Sequence, residues 1–97
     1  MMSTDEKTAL TLIARDTRAI LKGYLGDIRA AIRGGGARQL RLRTGRIGYA
    51  AVAFLDKRDG QDWQCIVHRS LDVRGLRELQ MFVAGWVDGI AHVKERE

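Results

Sequence analysis

The feature that most constrains the fold is a change in hydrophobic spacing at a triple glycine, Gly34-Gly35-Gly36. Before it, apolar residues recur at three- and four-residue steps between Leu10 and Ile32, which is typical of one face of an amphipathic helix. After it, the segment 38–43 alternates leucine with arginine or glutamine, which is typical of a half-exposed strand. Because glycine commonly terminates helices, we predict a helix that ends at the glycines and a sheet that begins just after them.

The first helix is predicted over residues 4–33. Ser3 and Glu6 have the spacing of a capping box, in which each side chain satisfies a backbone N–H group of the first turn. Gly23 and Gly26 lie in the second half of this helix, and each weakens it by about 1 kcal/mol relative to alanine. A bend or break is therefore expected near them.

The strands are predicted at about 38–43, 46–55 and 63–69. Thr44-Gly45 is the expected hairpin turn between the first two, and the loop 56–62 contains an Asp-Gly turn. The middle strand is apolar on both faces from Ile47 to Leu55, which favours a central strand covered on both sides.

A second helix is predicted over about 73–93, with Ser70 or Asp72 as its cap. The chain is thus expected to be a single α+β domain over residues 1–97, with element order α-β-β-β-α. The apolar middle strand, together with Met81, Phe82 and Trp86 on the second helix, suggests more apolar surface than one small domain hides. We therefore predict a homodimer and take those three residues as interface candidates.

The charge of the chain is concentrated in one segment. The net charge is +5, yet residues 29–46 contain six arginines and no acid. We take Arg33, Arg38, Arg41, Arg43 and Arg46 as the candidate partner-binding surface. Such a patch suits phosphates or an acidic protein surface. It would also arise without any partner, because arginines on an edge strand discourage sheet aggregation and a GC-rich genome favours arginine codons.

The chain has few groups for catalysis or metal binding. His68, His92 and Cys65 are too few for a structural zinc site, and Cys65 is expected in the core. Asp56, Asp59 and Asp62 lack the spacing of a calcium loop and are interpreted as turn formers. We predict no cofactor, no metal and no enzymatic activity; a small ribonuclease toxin using His68 with nearby arginines is a remote alternative.

The element order resembles that of double-stranded RNA-binding domains. That family's second helix begins with a lysine cluster, whereas only Arg74 and Arg77 stand at that place in this chain. Its histidine-bearing loop between the first strands is also missing at Thr44-Gly45. The resemblance is confined to the order of elements, and no family is assigned.

We predict a small binding protein that modulates or inhibits a larger protein or nucleoprotein machine through its arginine surface. This resembles the mode of action of anti-CRISPR and other anti-defence proteins of phages and mobile elements. The alternative is a dimer that binds duplex DNA or RNA. The single cysteine, the start of the chain and the short longest apolar stretch, 49–55, predict a cytoplasmic protein with no membrane partner.

Overall fold

The structure is a computed structural model that describes the backbone of residues 2–96 and the side chains of residues 6–90. It has the predicted α+β order, with the first helical region divided into two helices and a three-stranded antiparallel sheet of order β1-β2-β3. The elements are α1 Met2–Thr11, α2 Arg15–Gly34, β1 Leu40–Ile47, β2 Ala50–Asp59, β3 Asp62–Ser70 and α3 Val73–Arg96.

The single helix predicted over residues 4–33 is divided into two, because the chain leaves the helix after Thr11. Ala14 adopts an extended conformation, with φ −53° and ψ 136°. Arg18 then donates from Nε to the carbonyl oxygen of Ile13 at 3.0 Å and from Nη2 to that of Thr11 at 3.4 Å. These bonds satisfy carbonyl groups that the end of α1 exposes. The expected break at Gly23 and Gly26 is absent, since α2 runs through both.

The predicted hairpin turn at Thr44-Gly45 is also wrong. Both residues lie within β1, paired with Ala53 and Val52, and the turn falls at Gly48-Tyr49. Gly48 has a φ of +62°, and a glycine at the first central position is what a type II′ hairpin turn requires. The strand bounds therefore move: β1 reaches Ile47, and β2 begins at Ala50 and continues to Asp59.

The Asp-Gly turn is confirmed between β2 and β3, where Gly60 has a φ of +64°. The ladder between these strands shifts register at Leu55/Asp56, so that Leu55 pairs with Val67 but Asp56 pairs with Cys65. Ile66 is thus left without a partner as a β-bulge, and Cys65 and Val67 on either side of it lie on opposite faces, whereas simple alternation would place them on the same face.

All three helices pack on one face of the sheet. α1 and α2 lie against β1, and α3 lies against β3 and α2. The largest fully buried side chains of this core are Leu21, Leu25, Ile28, Leu42, Leu55, Leu76, Leu79 and Val83. No helix in residues 2–96 covers the other face, yet the central strand is buried on both faces as predicted: Ala53 and Leu55 are buried on the helix side, and Val52 and Asp56 on the other. None of the helices in this range is long and apolar enough to cross a membrane.

The start of α3 follows the prediction at Asp72, whose Oδ1 accepts a hydrogen bond from the Gly75 backbone N–H at 2.7 Å. The predicted capping box of α1 depends on Ser3, whose side chain lies outside the described residues. Glu6 instead pairs with Arg29 of α2 at 2.9 Å. The two long helices meet where Val87 of α3 packs against the backbone of Gly35 at the end of α2.

Candidate functional site

The uncovered face of the sheet carries the polar side chains that β1, β2 and β3 direct away from the helices. The strand register places Arg41 opposite Asp56 and Arg43 opposite Phe54. On the other side of β2, the bulge brings Cys65 opposite Asp56 and His68 opposite Phe54. We call this surface the open face; its members are Arg41, Arg43, Phe54, Asp56, Trp63, Cys65 and His68.

Asp56 lies at the centre of the open face and is almost completely buried, with 1% of its surface exposed. Arg41 donates from Nε to its Oδ2 at 2.8 Å. Arg43 donates from Nε to the same oxygen at 3.0 Å and from Nη2 to Oδ1 at 3.4 Å. A single carboxylate therefore holds two neighbouring arginines on one strand.

Each of these arginines also lies over an aromatic ring. The guanidinium carbon of Arg41 is 4.4 Å from the ring centroid of Trp63, and that of Arg43 is 4.3 Å from the ring centroid of Phe54. Both distances are well within the range of a cation–π interaction. The ring of Phe54 also contacts that of His68, with 6.1 Å between centroids. The carboxylate and the rings together restrict both arginines to one geometry.

The electrostatics of Asp56 follow from this arrangement. Burial alone would raise the pKa of its carboxyl group, because a buried charge loses its hydration. Hydrogen bonds from Arg43 and Arg41, together with their positive charge, outweigh burial and hold the pKa of Asp56 below its ordinary value. The carboxylate is therefore ionised at neutral pH and neutralises one of the two arginine charges.

The structure distributes the five predicted binding arginines along β1 and its neighbours. Arg41 and Arg43 lie on the open face, and Arg33 joins Arg41 at a shallow groove of about 220 Å³ between α2 and β1. Arg38 lies in the turn before β1, and Arg46 lies near the end of β1 on the side opposite to Arg41 and Arg43; both are exposed. The arginines form a stripe rather than a compact cluster.

Sequence reasoning missed the role of Asp56 and misplaced Cys65. The sequence predicts a turn at Asp56, but β2 extends past it and two arginines cover it. It also predicts Cys65 in the core, but the bulge turns this residue to the open face, where it is exposed. The sequence does contain a signal for this contact, because Arg41 and Asp56 carry opposite charges. It can be recognised only when the hairpin turn is placed at Gly48-Tyr49, since that register pairs Arg41 with Asp56.

His68 is exposed on the open face, and its described contact is with the ring of Phe54. Within the part of the chain whose side chains are described, no three histidine, cysteine or acidic residues lie together as metal ligands would. No protein-family model, no curated protein and no solved structure matches the chain.

Proposed function

We propose that the protein is a non-enzymatic binding protein that docks through the open face and the flanking arginines of β1 onto an acidic surface of a larger protein or nucleoprotein machine. Docking would inhibit or modulate that machine by occupancy, as anti-defence proteins do. The observation that carries the proposal is the pair of arginines, Arg41 and Arg43, held by Asp56 over aromatic rings on a sheet face that no described helix covers.

The geometry of the two arginines favours specific binding. A free arginine side chain loses about 2 kcal/mol of rotamer entropy when a partner immobilises it. Here the ion pairs and the rings already restrict Arg41 and Arg43 in the unbound protein, so a partner immobilises less. Arg41 uses only Nε for Asp56, which leaves its two terminal nitrogens to donate to a partner's carboxylate.

Several features favour a protein partner over a nucleic acid. Trp63 and Phe54 are covered by guanidinium groups, so their rings are not presented to bases for stacking. Asp56 halves the charge of the central arginine pair, which weakens its attraction to phosphates. Arginine and tryptophan are also enriched among the residues that dominate binding at protein interfaces.

Duplex binding is the second candidate, and one specific observation favours it. Arg33, Arg38 and Arg46 are exposed, and no described side chain forms an ion pair with any of them. They lie at the end of α2, in the turn before β1 and near the end of β1, so they could contact separate phosphates of one duplex. A dimer would present two such stripes.

A photo-crosslinking experiment tests the docking proposal. A benzoylphenylalanine replaces His68, which is exposed on the open face, and in a matched control it replaces the exposed Asp16 of α2. We expect the His68 position to crosslink to a protein and the Asp16 position to give no such product. Crosslinks from both positions, or from neither, would contradict docking through the open face. A nucleic-acid adduct from His68 would favour the second candidate.

The choice of variants follows from the ion pairs. Alanine at Arg41 and Arg43 leaves the buried Asp56 unpaired and endangers folding. Arg41→Lys with Arg43→Lys keeps the charge but removes the planar fork and its stacking, so it is expected to lose the His68 crosslink while remaining folded. Arg33→Glu with Arg46→Glu tests the stripe without touching Asp56.

Duplex binding has its own measurement. Fluorescence anisotropy with 20-base-pair DNA and RNA, over a salt series, gives the dissociation constant and its salt dependence. Binding that falls steeply with salt, with a slope that Arg33→Glu/Arg46→Glu reduces by about two contacts, would support the duplex-binding alternative.

A further inference from the structure

The outward side of α3 carries a row of exposed residues that no described part of the chain covers. Arg77, Met81, Ala84 and Asp88 recur at steps of four, three and four, which places them along one side of the helix. All four are exposed, and Met81 keeps 74% of its surface accessible. The core side of α3 follows a separate row through Leu76, Leu79 and Val83.

The composition of this side is unfavourable for a helix that faces only water. Phe82 is 40% exposed next to Met81. Gly85 and Gly89 lie within the helix, and a methyl group added at either would meet no atom within 4 Å. Each glycine weakens the helix relative to alanine, and no described neighbour packs into the space it leaves. A second helix backbone packed against this side would use it.

The charges at the two ends of the row have opposite signs. Neither Arg77 nor Asp88 forms an ion pair with a described side chain. Reversing the direction of the row exchanges its positive and negative ends and leaves its apolar middle in place. In an antiparallel pair of α3 helices, Arg77 of each copy would therefore face Asp88 of the other, with Met81 opposite Ala84 and beside Gly85.

We propose that the occupant of this surface is a second copy of the chain, and that α3 forms an antiparallel two-fold homodimer centred between Met81 and Ala84. This changes the interface that the sequence predicts. Met81 and Phe82 remain in it, whereas Trp86 is half-buried, stacks on Phe82 at 6.3 Å and lies beneath Lys57 at 5.7 Å, so it borders the interface. Because α3 packs on the helix-covered side of the sheet, the dimer leaves both open faces exposed.

Charge reversal tests the register of this dimer. Sedimentation velocity and equilibrium over about 1–500 μM give the dissociation constant of the wild type, of Arg77→Asp, of Asp88→Arg and of the double variant. Each single variant replaces two attractive pairs with two repulsive ones, and we expect its dissociation constant to rise at least tenfold, since both the lost attraction and the new repulsion oppose association. The double variant is expected to return to within about threefold of the wild type.

The matched control is Arg15→Asp, an exposed arginine on α2, which is expected to leave the dissociation constant unchanged. Folding is not at risk in the double variant, because residues 77 and 88 are both exposed and lie within a helix whose buried side is a separate row. Met81→Lys is expected to abolish the dimer. A wild-type monomer up to 500 μM would overturn the proposal. So would a dimer that the single variants and Met81→Lys leave intact, or one that the double variant does not restore.

Discussion

Replacing Asp56 with alanine is the sharpest test of what orders the open face. The change removes the carboxylate that Arg41 and Arg43 share, together with three hydrogen bonds between 2.8 and 3.4 Å. It leaves both guanidinium groups in place over their rings. The side chain of Asp56 is almost completely buried, whereas those of Arg41 and Arg43 keep 37% and 34% of their surface exposed.

These exposed fractions determine how much unfolding free energy the Asp56→Ala change removes. Removing one partner of a fully buried ion pair destabilises a protein by about 3–5 kcal/mol, because the remaining charge stays buried. Arg41 and Arg43 are about one-third exposed, so water can solvate them once the carboxylate is gone, and much of that penalty is relieved. We expect Asp56→Ala to lower the free energy of unfolding by about 2 kcal/mol, which corresponds to roughly 8–16 °C in Tm for a domain of this size.

The measurement is urea unfolding followed by tryptophan fluorescence and checked by far-UV circular dichroism. Asp27→Ala, at an exposed acid of α2, is the control and should change the free energy by less than about 0.7 kcal/mol. If Asp56→Ala lies within about 0.5 kcal/mol of the wild type with an unchanged denaturant slope, the carboxylate does not order the arginines, and docking through a preorganised pair is refuted.

Three further predictions concern pH, packing and a buried hydroxyl. Because the folded-state pKa of Asp56 is lowered, the stability that its carboxylate contributes is complete above the unfolded-state pKa of about 3.9 and is lost as the pH falls through the folded-state pKa. Urea titrations below about pH 4 should therefore show a steeper loss of unfolding free energy for the wild type than for Asp56→Asn, and equal losses would contradict this. Gly35→Ala places a methyl group 2.5 Å from Val87 Cγ2 and 2.9 Å from a backbone carbonyl oxygen, so it should destabilise the protein by about 1–3 kcal/mol. The control Gly34→Ala meets nothing within 4 Å and should not destabilise it, so comparable Tm values for the two variants would refute the packing of Val87 against Gly35. Thr44 is 1% exposed and its Oγ1 has no hydrogen-bond partner among the described residues, so the nearly isosteric Thr44→Val should raise the free energy of unfolding by about 1 kcal/mol, and a lower Tm would show that the hydroxyl is satisfied.

The sequence determined the features that depend on a few neighbouring residues. The glycines at 34–36 end a helix because they lack a Cβ, and the alternation after them marks a strand. The Asp-Gly turn at residues 59–60 and the cap at Asp72 are equally local. These signals were sufficient for the order of the elements and for the position of Arg41 and Arg43 on the outer side of β1.

The tertiary structure decided what depends on residues far apart in the chain. The break after Thr11 does not interrupt the hydrophobic spacing; it exists because α1 turns to pack against β1. The hairpin falls at Gly48-Tyr49, because pairing there lets β1 and β2 align over eight residues and brings Asp56 beside two arginines. The bulge at Ile66 then places both Cys65 and His68 of β3 on the open face beside these residues. Pairing register is a property of two strands together, so the alternation within one strand leaves it open.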